Sequence, residues 1–236
     1  MSQTVYAPFL NGECWNDAGP AEFKVINPAT GETLGRETEC GAAAVARIVE
    51  ASQQAFLEPS WQKMSAAERG RLLLKLADLV EQQAEALIQT ELQDTGKPIS
   101  QLRAGELPLT AAIIRFYAGA ADKVEGSVKS GTPNEILLQI YEPYGVVAGI
   151  LPWNYPFVNA AMKVAPAVAA GNAIVLKPAQ ETPLGTLAFA KLCVEAGIPP
   201  GIVNVVLGSG SSTGQALIEH PLIKKVSFTG STSVGQ

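Results

Sequence analysis

The chain has 236 residues, a net charge of −5, and a hydrophobic fraction of 47% against 17% charged. That length supports a sizeable core in one large domain or two small ones, and the composition is that of an ordinary soluble globular protein. An acidic chain without a basic cluster argues against a nucleic-acid partner. The apolar stretch from Val164 to Leu176 is broken by Pro166, Gly171 and Asn172, and none reaches the roughly 18–20 residues of a membrane span. No basic region leads into an apolar run at the N-terminus, so no secretory signal is expected. Cys14, Cys40 and Cys193 are scattered, without a Cys-x-x-Cys spacing. A disulfide framework or a zinc site is therefore not expected, and a cytoplasmic location fits best. The single histidine, His220, lacks partners for a metal site and reads as a surface residue near a helix end.

In chain order, Phe9 to Glu13 and Phe23 to Ile26 read as strands, with turn chemistry from Asn27 to Glu32. Ala42 to Phe56 is a helix candidate. Ser65-Ala66-Ala67-Glu68 forms a capping box, and Leu72, Leu76, Leu79 and Leu87 keep one face apolar until Gly96-Lys97-Pro98 stops the helix. A further helix is expected from about Ser100 to Ala121. These helices read as scaffolding, and no chemistry is assigned to them. Residues 124–142 change character: Gly131-Thr132-Pro133-Asn134 offers a turn before the strand-like Ile136 to Tyr141. Either an ordinary hairpin or a projecting arm that pairs with another subunit satisfies that pattern.

From Gly145 a strand–helix alternation begins. Buried strands are expected at Gly145–Leu151, Ala173–Lys177, Ile202–Leu207 and Lys225–Phe228. Helices are expected at Pro156–Ala170, from Thr182 as N-cap and Pro183 as first helical residue, and at Thr213–Glu219. Continuously apolar strands alternating with helices imply a parallel sheet covered on both faces. Right-handed crossovers then make an α/β, Rossmann-like doubly wound parallel sheet, preceded by a helical segment. The alternation stops at Gln236 in what reads as the first turn of another helix, so the fold is expected to be incomplete.

In such sheets, ligands bind beyond the carboxyl ends of the strands. Four segments lie there: Leu151 to Asn154, Lys177 to Gln180, Gly208-Ser209-Gly210, and Phe228 to Thr232. The usual Gly-x-Gly-x-x-Gly fingerprint is absent, because Gly214 follows Gly210 one position late. Gly230-Ser231-Thr232 sits between a strand and a helix start, where phosphate binding and simple N-capping are both satisfied. Lys177 suits ribose hydroxyls or a surface lysine, and Asn154 suits an oxyanion or a helix cap.

Taken together, the chain resembles the aldehyde dehydrogenase superfamily along essentially its whole length. The resemblance rests on Asn27-Pro28-Ala29-Thr30-Gly31, Thr95-Gly96-Lys97-Pro98, Glu142-Pro143-Tyr144-Gly145-Val146, Pro152-Trp153-Asn154-Tyr155-Pro156, Ala170-Gly171-Asn172, Lys177-Pro178, Gly197-Ile198-Pro199-Pro200-Gly201 and Phe228-Thr229-Gly230-Ser231-Thr232, in order. It implies NAD(P)-dependent oxidation of a small-molecule aldehyde to a carboxylic acid by a homo-oligomer, dimer or tetramer. Asn154 then matches the oxyanion-stabilising asparagine, and Lys163 a lysine with a supporting catalytic role or a structural one. Leu151, Pro152 and Trp153 match the lining of the nicotinamide-ribose side, and Lys177 the adenine-ribose lysine. Gly210 matches the glycine that admits the adenine and Ser231 the pyrophosphate serine, with Gly214, Phe228, Thr229 and Gly230 also counted as cofactor-binding. Residues 1–123 and 143–236 are expected to form the cofactor-binding domain, and 124–142 the oligomerisation arm.

Two departures bear on function. Gln180 stands where many NAD-preferring relatives have a glutamate, so the cofactor is NAD or NADP, with NAD slightly favoured. The family's general-base glutamate and nucleophilic cysteine lie beyond the pattern that ends at Gln236. The catalytic domain is thus expected to be absent and this chain alone inactive. The alternative is a non-catalytic nucleotide-binding or interaction protein that retains part of the fold.

Overall fold

A computed structural model describes residues 4–235. Strand β1 (Val5–Tyr6) is followed by β2 (Phe9–Leu10) and β3 (Glu13–Cys14). The segment expected as one strand is thus a tight hairpin. Asn11 and Gly12 at its tip adopt φ of 51° and 91°, the left-handed pair that matches strand twist in two-residue turns. Strands β4 (Ala21–Ile26) and β5 (Thr33–Thr38) pair antiparallel, and β1 adds to β5 in parallel.

Helices α1 (Ala42–Leu57), α2 (Pro59–Gln62), α3 (Ala66–Gln82) and α4 (Ala84–Thr95) follow. The capping box at Ser65 forms in both directions, the Glu68 N–H donating to the Ser65 hydroxyl and the Ser65 N–H to the Glu68 carboxylate. The single helix expected up to Gly96 is two, because Gln83 leaves helical geometry at φ −100°, ψ 14°. That break re-aims Leu87, Ile88, Glu91 and Asp94 into the interior. Gly96, left-handed at φ 70°, ends α4. The helix expected next is also divided, into α5 (Ile99–Gln101), a π-helical turn (Leu102–Glu106) and α6 (Leu107–Ala120). Strands β6 (Ser127–Lys129) and β7 (Leu137–Gln139) then form a two-stranded antiparallel hairpin that leaves Val128, Ile136, Leu138 and Ile140 exposed.

The remainder contains β8 (Val146–Ile150), α7 (Pro156–Ala169), β9 (Ala173–Lys177), α8 (Leu184–Glu195), β10 (Val203–Val205), a π-helical turn (Gly210–Gly214), α9 (Gln215–Ile218), β11 (Ile223–Phe228) and α10 (Thr232–Gly235). Two starts differ from expectation. Pro183 rather than Thr182 caps α8, since the Thr182 hydroxyl donates instead to the Trp153 carbonyl at 3.2 Å. The short helix expected from Thr213 begins at Gly210 as the π-helical turn.

The main sheet runs β11-β8-β9-β10-β2-β3, with the first four strands parallel and the hairpin β2–β3 antiparallel at the edge. Helices α7 and α8 pack on the strands they connect, and α1 and α9 pack on each other over the opposite face. Strands β8, β9 and β10 are buried almost throughout, whereas four of the six residues of β11 are exposed. Expected coverage of both faces therefore holds for three of the four parallel strands. Outside α7, α3 and α6 pack on it and on each other as a further helical layer. Helix α7 is apolar nearly all round, as a helix sandwiched between sheet and helices must be.

Asn204 in β10 fastens three elements to this sheet. Its Nδ2 donates to Ser52 Oγ at 2.7 Å and to the Gly201 carbonyl at 2.9 Å, while its Oδ1 accepts the Asn11 N–H at 2.9 Å. Asn204→Leu keeps similar volume but leaves all three partners unpaired. The expected loss is about 2–4 kcal/mol in urea denaturation.

Candidate functional site

The chain leaves β8 for β9 on one side and returns to β11 on the other, so β8 and β11 are neighbours whose following segments diverge. Open α/β sheets bind ligands in the crevice opened at such a switch point. The floor here is closely fitted. Gly149 lies opposite Leu176 in β9, and a Cβ on it would meet Leu176 Cδ2 at 2.8 Å and Lys163 Cδ at 3.2 Å. Absence of a side chain lets the Lys163 stem pass over β8 from α7. Its Nζ then donates to Thr229 Oγ1 at 2.8 Å, at the carboxyl end of β11. Burial lowers the pKa of the Lys163 ammonium.

The sequence-derived residues fall along this edge. The buried Leu151 continues the sheet, its N–H donating to the Lys177 carbonyl at 3.0 Å. Pro152 is half-buried, Trp153 projects into solvent, and Asn154 stands half-buried just before α7. Lys177 ends β9 buried, with Nζ donating to the Pro178 carbonyl at 2.9 Å. Burial lowers its pKa, while the carboxylates of Glu37, Glu181 and Glu39 pull the other way. Gln180 is half-buried in the turn beyond. Gly210 is exposed, and a Cβ on it would meet nothing within 4 Å. Gly214 is buried, and a Cβ there would lie 3.4 Å from the Lys177 stem, so Gly214 packs rather than faces the opening. Phe228, Thr229, Gly230 and Ser231 are exposed at the end of β11. The structure thus joins Lys163 with Thr229, Leu151 with Lys177, and Lys177 with Gly214. Asn154 and Trp153 share the same edge without a side-chain hydrogen bond to the others.

Sequence reading missed the carboxylates beneath this edge. Both oxygens of the fully buried Glu37 lack a hydrogen-bond partner. Burial pushes this carboxyl up to about 8; Lys177 opposes the shift, and Glu39, Glu181 and Asp94 add to it. The helices read as scaffolding carry a second cluster. Glu106 accepts from Lys97 Nζ at 2.6 Å, and that ammonium sits 3.7 Å from the centroid of the Tyr155 ring, next to Asn154. Burial, then the charge of Glu106, pushes Glu91 upward. Asp94 rises to about 7 through burial, although it accepts the Gly185 N–H at 3.0 Å. The available signal was three acids, Glu91, Asp94 and Glu106, on either side of Thr95-Gly96-Lys97-Pro98, in helices read only as scaffolding.

A model of the aldehyde dehydrogenase family matches residues 15–236, and the chain belongs to that family. The mitochondrial aldehyde dehydrogenase family 2 member B4 of Arabidopsis thaliana is 44% identical over 227 residues, covering 96% of this chain and 42% of that protein. An aldehyde dehydrogenase of Enchytraeus buchholzi is 43% identical over 229 residues, covering 97% and 46%. The NAD+ complex of a Bacillus cereus aldehyde dehydrogenase has a TM-score of 0.94 at 40% identity, covering 98% of this chain and 47% of that structure. The chain spans less than half the length of each of these relatives. The resemblance and the Rossmann-like sheet expected from the sequence are both borne out.

Glu37 yields a pH prediction. Its folded pKa lies above the unfolded value of 4.5, so its penalty is absent below that value and grows as pH rises through about 8. Glu37→Gln is expected to be the more stable protein at pH 9, by on the order of a few kcal/mol. The gain should vanish by pH 4 in denaturant titrations run across that range.

Proposed function

We propose that this chain binds the adenosine and pyrophosphate of NAD or NADP, as the cofactor-binding part of an enzyme that oxidises an aldehyde to a carboxylic acid. The observation that carries the reading is the switch in connection direction at β8 and β11, with Lys177 at the end of β9, Gly210 beyond β10 and Ser231 beyond β11. The residues present fit a dinucleotide. Unobstructed space in front of Gly210 suits a flat adenine. An ammonium carries three protons, and the one Lys177 hydrogen bond, to Pro178, leaves two for ribose hydroxyls. Ser231 is exposed, and its hydroxyl suits a phosphate oxygen.

The nicotinamide, when bound, accepts the hydride. Of this chain's own residues, Asn154 offers an uncharged amide donor for an oxyanion, and Lys163 holds Thr229 at the crevice floor. No cysteine present suits nucleophilic attack. Cys14 lies exposed on the edge strand β3, separated from the parallel strands by β2. Burial pushes Cys40 up to about 11 and raises Cys193, whereas attack requires a thiolate. On this reading turnover needs a nucleophilic cysteine that these 236 residues do not supply. A steady-state assay of these residues alone, with several aldehydes and both cofactors, should show none. Turnover abolished by Asn154→Ala would overturn this division of roles.

Residues 1–123 and 143–236 serve in this reading as the cofactor domain and 124–142 as the arm of a homo-oligomer. The exposed Val128, Ile136, Leu138 and Ile140 support that role. Neutral Gln180 neither bonds the ribose 2′-hydroxyl strongly nor repels a 2′-phosphate, so NAD is favoured only slightly over NADP.

Calorimetry tests the crevice. Gly210→Val should weaken NAD and ADP-ribose alike by about tenfold or more, a loss of at least ~1.4 kcal/mol. Ser231→Ala should cost about 1 kcal/mol, and Gln180→Glu should weaken NADP relative to NAD. Unchanged NAD affinity in Gly210→Val would show that the crevice is misplaced.

A further inference from the structure

We propose that Glu39 is the positioning residue of the adenine-binding turn, a role that rests on the reading of residues 208–214 as that turn. Glu39 immediately follows β5, and 170 positions separate it from Ser209. Its two carboxylate oxygens nevertheless grip that serine from both sides. The Ser209 N–H donates to Oε2 at 2.9 Å and the Ser209 hydroxyl donates to Oε1 at 3.1 Å. Hydrogen bonds to an ionised acceptor are stronger and geometrically stricter than neutral ones, so this contact fixes where the turn begins.

Ser209 is in turn the hub of the segment. Its hydroxyl accepts the Ser212 N–H at 3.2 Å, and its carbonyl accepts the Gly214 N–H at 3.0 Å. Thr213, fully buried, donates to the Cys40 carbonyl at 2.8 Å and also reaches Glu39 Oε1 at 3.4 Å. The Cys40 N–H donates to the Leu207 carbonyl at 2.9 Å, closing the same seam from the strand side. A displacement of Ser209 is thus transmitted to Gly210 on the exposed face and to Gly214, which walls the Lys177 stem.

The backbone makes room for this carboxylate. Gly208 adopts φ 131°, and a Cβ there would collide with both the Glu39 carboxylate and the Thr213 hydroxyl. A glycine is required at that point by the group beneath the turn, independently of any ligand above it. The same carboxylate favours the ammonium form of Lys177. One side chain just after β5 therefore aligns the glycine turn, and its charge adds to those of Glu37 and Glu181 in favouring the Lys177 ammonium. Groups that orient a binding element from behind govern affinity without touching the ligand.

The test is AMP binding by calorimetry, with thermal melting in parallel, on the unaltered chain, Glu39→Ala, Glu39→Gln, Ser209→Ala, and the Glu39→Ala/Ser209→Ala double variant. Glu39→Ala should weaken AMP by about tenfold or more, whereas Glu39→Gln, which keeps an acceptor for the Ser209 N–H, should stay within about threefold. The losses should be less than additive in the double variant, because either change alone removes the bond between the Ser209 hydroxyl and Glu39. Unchanged AMP affinity in Glu39→Ala, or fully additive losses, would overturn the proposal. Should Glu39→Ala fail to fold, Ser209→Ala decides it. Several-fold weaker AMP at an unchanged melting temperature supports the role, and unchanged affinity overturns it. An unaltered chain that binds no AMP removes the cofactor reading itself, and this proposal with it.

Discussion

The pairing of β8 with β9 on one side and β11 on the other is the constraint on which the rest depends. Parallel pairing forces each connection to cross over a face of the sheet, and right-handedness sends the two connections to opposite faces. Their divergence opens the crevice. Gly149, next to last in β8, lets the strand accept the side chains of Leu176 and Ile174 and the Lys163 stem at close range. The sheet is therefore dense at its centre, and exposure begins beyond β10, at Gly210, and along β11.

Charge is arranged around that edge at a cost in stability. Glu37, Glu91 and Asp94 are all buried carboxyls with raised pKa values, and each has at least one oxygen without a hydrogen-bond partner. A core built only for stability would replace such groups by apolar ones. Glu37 and Asp94, together with Glu106 beside Glu91, act on segments next to the strand ends. Glu37 lies by Lys177, Asp94 anchors the start of α8, and Glu106 fixes the lysine that packs on Tyr155 beside Asn154. The order of the crevice and the strain of the acids beneath it are two aspects of one arrangement.

The parallel strands were legible because continuous apolar runs bounded by turn residues have no other comfortable place than a doubly covered sheet. The capping box at Ser65 and the stop at Gly96 were legible for similarly local reasons. Breaks inside helices were not. Gln83 and the π-helical turn at 102–106 interrupt sequences that are good helix formers on both sides, and tertiary packing decides them. The positions of Leu151, Lys177 and Phe228 at strand ends were legible from the strand–helix alternation. The roles of Glu37, Glu39 and Asp94 were not, because each contributes through partners far away in sequence, such as Ser209 for Glu39 and Gly185 for Asp94. Nothing in a local pattern distinguishes a buried acid from a solvated one before the fold brings its neighbours together.

The most direct test of the account is a crystal structure of this chain with ADP-ribose. The account predicts the adenine against Gly210, ribose hydroxyls within hydrogen-bond reach of Lys177 Nζ, and the pyrophosphate by Ser231. Density for the ligand elsewhere, or none at saturating concentration, would contradict the claim that the ends of β8 to β11 form a dinucleotide site.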